Sequence, residues 1–236
     1  MNLNLKMAWL NVWRRKIRSS LVILMIGVSM SVMLAIQGLY DGMAEHMIES
    51  TIRSESGEIT LYAPSYRLHQ NIRYHISNRQ RILSKLGTMP QITAVSERIR
   101  IMGLASTARK SSMAKLAGIE RDKENAFGDF EDFIVEGALD FSGRQNGTVI
   151  GRKLAETMKV GVGSRVIFSA QDIHGELSSV SLRIKGILQT TNPAIDDFSL
   201  FVSMDTAEAL TGLGDKSRTE FALRVEKDTP LNEVKK

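Results

Sequence analysis

The sequence predicts an α+β fold: an N-terminal transmembrane helix with a stalk, followed by an extracytoplasmic, mixed α+β core domain of two small subdomains. Three observations carry this. Residues 19–40, SSLVILMIGVSMSVMLAIQGLY, hold no charge. Beyond residue 58 the pattern changes to short alternating strands and short helices, punctuated by Gly, Asn and Pro. No second long apolar run follows before Lys236.

The uncharged run of 22 residues covers about 33 Å as a helix at about 1.5 Å per residue. A hydrocarbon core is about 30 Å thick. Ten of its residues are Leu, Ile or Val, which favour insertion by roughly 3–6 kcal/mol in total. Lys6, Arg14, Arg15, Lys16 and Arg18 precede it, and Asp41, Glu45 and Glu49 follow. Cations stay cytoplasmic, so the N-terminus is expected inside and the long remainder outside. A cleaved signal peptide is the competing reading, with Gly42-Met43-Ala44 as its processing site. Asp41 beside that site, and an apolar run longer than the usual 7–15 or so residues, favour the anchor.

Residues 1–18 mix Leu3, Leu5, Trp9, Leu10, Val12 and Trp13 with the cations. They predict an amphipathic helix lying on the cytoplasmic face and bending into the span. Within the span, Gly27, Ser31 and Ala35 recur every four residues and so share one face, where a second helix can approach closely. The helical pattern continues through Met43, Met47, Ile48, Thr51 and Ile52, which predicts a stalk ending near Gly57.

Glu58–Ala63 alternates as a strand stopped by Pro64. Residues 65–77 are ambiguous. A helix over Asn78–Leu86 is followed by strands over Ile92–Ser106 and Ser112–Ile119, joined by the turn Ala108-Arg109-Lys110. Asp122–Glu136, acidic and Phe-rich, reads as a loop or short helix. Next come a strand (Gly147–Ile150), a helix (Arg152–Lys159), a break at Gly161-Val162-Gly163, and a hairpin of Arg165–Ala170 with Ser179–Leu188 across a turn at Asp172–Gly175. Asn192-Pro193 reads as a loop, Ser199–Val202 as a strand, Asp205–Leu210 as a helix and Thr219–Val225 as the last strand. The divisions are therefore a cytoplasmic helix over 1–18, the span over 19–40, a stalk over 41–57, the core over 58–229 and the start of a return stalk over 230–236. Within the core, 58–115 with 196–229 form one α/β subdomain and 116–195 a β-rich one.

Composition excludes several chemistries. The chain has no Cys, so it has no disulfide framework, thiol nucleophile, iron–sulfur site or acylated lipobox. Its net charge of +5 comes largely from the N-terminal cations, which read as topology and contact with anionic lipid headgroups rather than nucleic-acid binding. There is no P-loop. Gly161-Val162-Gly163-Ser164 lies between a helix and a strand and lacks a third Gly, unlike a dinucleotide fingerprint. His46, His69, His75 and His174 match no metal spacing. Glu131-Asp132 and Asp196-Asp197 are adjacent carboxylates, which point apart in most backbones. No catalytic residue, cofactor or metal is expected.

Three stretches together resemble the permease subunits of MacB/FtsX/LolC-type ABC transporters. Ala8–Gly38 is similar to the family's amphipathic helix, basic bend and first span. Leu116–Val166, LAGIERDKE…IVEGALDFSGRQNGTVIGRKLAETMKVGVGSRV, resembles its periplasmic core: Gly118-Ile119-Glu120, then Glu136-Gly137, then Val149-Ile150-Gly151 with Leu154-Ala155, then a Gly-Val turn. Leu182–Leu210 looks like the strand, loop, strand and helix that close that core. The resemblance implies a bacterial inner-membrane permease with a periplasmic core, working with a cytoplasmic ABC ATPase dimer and a second permease subunit in the bilayer. ATP-driven motion would pass through the span and stalk, so this chain would itself be no enzyme. Ser56–Tyr66, SGEITLYAPSY, is closest to the lipoprotein-releasing branch (LolC and LolE). In that branch the first span helps line a lipid-binding cavity, which makes Gly27, Ser31, Met33 and Ala35 packing or cavity positions and a lipoprotein the cargo. The family carries three further spans after the core, so this chain reads as a fragment, a truncated product or half of a split permease. One lipoprotein-releasing subunit docks a periplasmic carrier through a protruding hairpin containing Pro. The matching hairpin here is short and lacks Pro, with Gln171, Asp172, His174 and Glu176 as its partner-facing residues. An efflux or cell-wall-regulating permease of the same family, or a stand-alone anchored adaptor, is the alternative.

Overall fold

The computed structural model describes residues 14–51, 59–66, 71–128, 130–142, 146–190 and 192–225. The chain divides into two units, residues 1–48 and 49–236. The first is dominated by helix α1, Lys16–Thr51, 36 residues long. At about 1.5 Å per residue it extends about 54 Å, well beyond an apolar core of about 30 Å. Over Lys16–Ala44 it is long and apolar enough to cross a membrane. From Ile17 to Met43 its Leu, Ile, Val and Met side chains are exposed on every side of the helix. The amphipathic helix expected over 1–18 falls mostly outside the described residues, as do the stalk's end near Gly57 and the return stalk over 230–236.

The second unit runs β1 (Ile59–Tyr62), α2 (Arg79–Leu86), β2 (Ile92–Ser106), β3 (Ser111–Ile119), α3 (Arg121–Gly128), a 3-10 turn (Phe130–Phe133), β4 (Ile134–Gly137), β5 (Gly147–Gly151), α4 (Arg152–Met158), β6 (Arg165–Gln171), β7 (Leu177–Leu188), α5 (Pro193–Phe198), β8 (Ser199–Ser203), α6 (Met204–Thr211) and β9 (Glu220–Val225). Two elements correct the sequence reading. Asn192-Pro193 does not open a loop: the Asn192 side chain accepts from the Ala194 N–H, Pro193 takes the first turn, and α5 follows, as suits a proline whose missing N–H is no loss there. The acidic, Phe-rich stretch ends not in loop but in β4, whose Ile134–Gly137 pair with Leu188–Gly186.

Six strands close on themselves. β2 pairs with β3, β3 with β8, β8 with β5, β5 with β7, β7 with β6, and β6 returns to β2. The result is a closed barrel of mixed direction: β3–β8 and β5–β7 are parallel and the other pairs antiparallel. A ring this narrow has no lumen. Ala105, Leu116, Ile150, Val166, Phe168, Leu182, Ile184 and Val202 fill it and are buried. Helices stop its ends. α6 packs on Gly118 near the end of β3, so close that a Cβ there would lie 2.3 Å from the Ala207 Cβ. α4 lies at the other end, where Lys110, just before β3, donates from Nζ to the Thr157 carbonyl at 2.8 Å. Ser203 caps α6 by accepting from the Thr206 N–H, and Gly212 ends it in the left-handed region at φ 71°.

β2 is 15 residues long and belongs to two structures. Its second half is a barrel stave. Its first half pairs with β9, which in turn pairs with β1, forming a ribbon of three strands. Leu86 of α2 packs on Phe221 and Leu223 of that ribbon, with Ile59, Leu61, Ile82, Leu83 and Val95 around them. A third cluster covers the outer barrel wall, where Phe130 meets Phe201 edge-on at 4.8 Å.

Candidate functional site

Two features of this chain are built for more than packing: the bare apolar helix, and the point where β2 leaves the ribbon and enters the barrel. Strand side chains alternate between faces. Ser96, Arg98 and Arg100 therefore point one way and Glu97 the other, and all four are buried.

On the first face, the Glu124 carboxylate of α3 accepts from Arg98 Nε at 3.1 Å, from Arg98 Nη2 and from the Ser96 hydroxyl. Arg98 Nη1 lies 3.4 Å and Arg100 Nε 3.0 Å from Glu220 Oε1 of β9. Two guanidiniums thus meet two carboxylates, as desolvated charges require. The Phe127 ring sits between Arg98 and Arg224, whose guanidinium carbons are 5.4 and 5.3 Å from its centre. Tyr66 donates its hydroxyl to the Arg100 carbonyl at 2.7 Å. Burial, with Glu220 adding, pushes that phenol up to about 12. Thr219 completes the face: its hydroxyl accepts from the Arg100 N–H at 2.8 Å and donates to the Arg98 carbonyl at 3.1 Å.

On the opposite face, Glu97 receives Arg79 of α2 (Nη2 to Oε1, 3.1 Å), Lys123 of α3 (Nζ to Oε1, 2.9 Å) and Arg218 (Nε 3.5 Å from Oε2). Arg218 also donates to Glu208 of α6 at 2.9 Å, and Arg79 to Asp215 at 2.9 Å. Ribbon, barrel, α2, α3 and α6 are tied to one stretch of β2 by charge.

Burial alone would raise the Glu97 carboxyl. Hydrogen bonds from Arg79 and Lys123 and their charges outweigh it and hold Glu97 below the usual glutamate range. A folded-state value below the unfolded one stabilises the fold above about pH 4.3, and that contribution fades as pH falls through the folded value. In thermal melts across acidic pH, Glu97→Gln is expected to be less stable than the parent at neutral pH but to lose less on acidification. Parallel curves for the two proteins would contradict this.

The sequence-predicted site residues lie on α1 and in the β6–β7 turn. Arg14, Arg15, Lys16 and Arg18 gather, exposed, at the start of α1; Lys6 lies outside the described residues. Gly27, Ser31 and Ala35 share one exposed face of α1, and a Cβ at Gly27 would meet nothing within 4 Å. Met33 lies about 200° around the helix from Ser31 at about 100° per residue, so it is on a different face and is also exposed. Gln171, Asp172, His174 and Glu176 meet in the β6–β7 turn. There Asp172 Oδ1 accepts from the N–H groups of His174 and Glu176 at 2.8 and 2.9 Å, and the Ile173 N–H reaches the Thr211 carbonyl at 3.0 Å. The turn is thus bonded back onto α6. Of the adjacent carboxylates, Asp196 accepts from the Thr190 N–H and hydroxyl at 2.9 and 3.0 Å, and Glu131 pairs with Arg121 at 2.7 Å. Among the described residues no group of His, Asp and Glu could hold a metal ion. Sequence reasoning missed Arg98, Glu124 and Glu220. The available signal was the alternation Glu97-Arg98-Ile99-Arg100 inside an apolar strand, whose two charged faces cannot both be solvated.

The family model described as a MacB-like periplasmic core domain matches residues 19–236. This chain belongs to that family. It is the MacB-like periplasmic domain, with an apolar N-terminal helix, of an ABC transporter permease. No curated protein matches it. Among solved structures, the MacB-like chain is similar to the extracellular domain of the noncanonic ABC-type transporter YknZ from Gram-positive bacteria (14% identity, TM-score 0.45, covering 75% of this chain and 85% of that one). It is also similar to the periplasmic region of MacB from Actinobacillus actinomycetemcomitans (18%, 0.48, 75% and 77%). A third similar structure is a domain of a putative permease from Porphyromonas gingivalis (15%, 0.43, 67% and 71%). MacB-like permeases work with ABC ATPase partners at a membrane, and the domain belongs to a transporter family rather than a catalytic one.

Proposed function

We propose that this chain is the mechanical part of a permease, passing ATP-driven motion from a cytoplasmic ATPase dimer across the inner membrane into the periplasmic β domain. One observation carries the reading. The 36-residue α1 exceeds the bilayer core by about 20 Å, so displacement at its cytoplasmic end can leave the membrane without crossing a hinge. The doubly clamped β2 supports the same reading, because a strand locked on both faces carries displacement from ribbon to barrel without local yielding. The N-terminus is cytoplasmic, with Lys6, Arg14, Arg15, Lys16 and Arg18 against anionic headgroups. Gly27, Ser31 and Ala35 form the seam for a second permease subunit or a return span, with Met33 on a lipid-binding cavity. Ser56–Tyr66 favours lipoprotein release over efflux, with Gln171, Asp172, His174 and Glu176 facing a periplasmic carrier.

Purification of the tagged chain in detergent from its native membrane tests this. A P-loop ATPase is expected to co-purify, with a hydrolysis rate that responds to this subunit. A preparation without any ATPase overturns the reading in favour of an anchored adaptor. Orientation is tested separately on the natural Cys-free chain: Asp132→Cys, on the exposed surface, should react with an impermeant maleimide in intact spheroplasts. Insertion is tested by Val28→Arg, which is expected to cost about 2.5–3.5 kcal/mol at the helix centre. The measurement is the fraction released from membranes by alkaline carbonate, expected to rise clearly above that of the parent.

A further inference from the structure

The junction where β2 passes from ribbon to barrel carries a cavity that neither the charge clamp nor the transport reading uses. It has a volume of about 100 Å³ and is lined by Tyr62, Tyr66, Arg100, Met102, Lys115 and Glu220, all within the second unit. Strand register brings them together. Tyr62 of β1 stands opposite Glu220 of β9, and Glu220 opposite Arg98 of β2, so Tyr62 and Glu220 share the face of Arg98 and Arg100. Further along the same face, Met102 stands opposite Lys115 of β3. Beyond Pro64, Tyr66 stacks on Tyr62, with ring centres 5.8 Å apart and planes inclined by 14°.

Glu220 points to a ligand. Its side chain is 1% exposed. Oε1 faces Arg98 and Arg100, whereas Oε2 is buried with no hydrogen-bond partner among the described residues. Tyr66, in the same lining, gives its one proton to the Arg100 carbonyl. A desolvated carboxylate oxygen without a donor is costly, so a donor from outside the protein is favoured there. The cavity is larger than one water needs, and Tyr62, Tyr66 and Met102 give it carbon walls that water leaves unmatched. Benzene fills a dry cavity of about 150 Å³, so about four heavy atoms fit inside this one. Further atoms can extend to the side where Tyr62 is exposed.

Charge selects among such molecules. The lining sets two cations, Arg100 and Lys115, against one carboxylate, which favours an anion. The donor to Oε2 is best neutral, because an ammonium would be a third cation crowded against Arg98 and Arg100. A hydroxyl is such a donor. We infer that this cavity binds a small anion that carries a hydroxyl. The hydroxyl donates to Glu220 Oε2, the anionic group meets Lys115, and the carbon skeleton lies against the tyrosines. Free α-hydroxycarboxylates and the phosphoglycerol headgroup of anionic lipids share this chemistry.

The experiment uses the full chain in detergent, isotope-labelled at its methionine methyl groups for NMR. The Met102 signal is assigned by its loss in Met102→Leu. Lactate is expected to shift it saturably. Propionate keeps the charge and lacks the hydroxyl, and propylene glycol keeps the hydroxyl and lacks the charge. Each should bind about tenfold more weakly than lactate or worse, because a site built to pair a hydroxyl rejects the analogue without it. This comparison probes Glu220 without disturbing its ion pairs. Lys115→Gln should weaken lactate about tenfold and leave propylene glycol unchanged, with the other methionine signals reporting that the variant stays folded. Glycerol phosphate, with propyl phosphate as its hydroxyl-free control, separates the two sources. Tighter binding than lactate, with competition by phosphatidylglycerol nanodiscs, assigns the site to a lipid headgroup. Tighter binding of lactate assigns it to a free acid. The inference is overturned if neither lactate nor glycerol phosphate moves the Met102 signal, if the hydroxyl-free controls bind as well as their parents, or if Lys115→Gln binds the anion as the natural chain does.

Discussion

Glu124→Ala is expected to destabilise the periplasmic domain by about 3–5 kcal/mol, the cost of stranding a buried charge. Arg98 would be the stranded group: its side chain is 2% exposed, and Glu124 is its two-oxygen partner. Glu220 cannot make up the lost charge, because it is a single carboxylate already facing two guanidiniums, Arg98 and Arg100. For a domain of this size the loss lowers the thermal midpoint by roughly 6–20 °C. The control is Arg98→Met with Glu124→Leu together, which removes both charges and keeps apolar volume. It should recover most of the loss, since such replacements are often neutral. A double variant as unstable as Glu124→Ala would show instead that hydrogen-bond geometry, not charge pairing, holds this face.

Phe168→Ala should cost about 3–5 kcal/mol as well, by a different route. The ring is fully buried in the barrel and lies over Gly103, where a Cβ would come 2.6 Å from its Cζ. The void left by alanine is surrounded by a closed ladder of hydrogen-bonded strands. Such a wall cannot collapse inward without breaking pairs, which places the cost towards the upper end. Phe168→Leu keeps most of the volume and should cost distinctly less. Urea denaturation of the three proteins, compared at equal slope, measures both values. Equal midpoints for parent and alanine variant would mean the interior is looser than its packing implies.

How much of this was legible depended on sequence distance. The bounds of β2 were legible because Gly87 and Pro90 punctuate the chain before it and the basic turn Ala108-Arg109-Lys110 follows, and its partner β3 starts after four residues. The hairpin of β6 and β7 was equally plain, with Asp172 and Gly175 marking its turn. β4 was hidden because four residues behind a Phe-rich acidic run carry no periodicity. α5 was hidden because Asn-Pro is punctuation in a loop and a start signal in a helix, and a helix of six residues adds little after it. Barrel closure was beyond reach, since Leu104 and Ser169 have no local relation that would announce their pairing. For the same reason the site was only half visible: the bare helix is a local property, whereas Arg98, Glu124 and Glu220 find one another only in three dimensions.

The sharing of β2 between ribbon and barrel has a consequence for biosynthesis. Its ribbon half pairs with β9, Ile92 against Val225, and β1 pairs with the same strand, Ile59 against Leu223. As the chain leaves the ribosome from its N-terminus, β1 and half of β2 must wait for the last described strand. Non-local pairing of this kind slows folding and keeps strand edges open meanwhile. The interval before β9 arrives is therefore when this domain most needs a chaperone, and the completion of β9 is the event that ends the need.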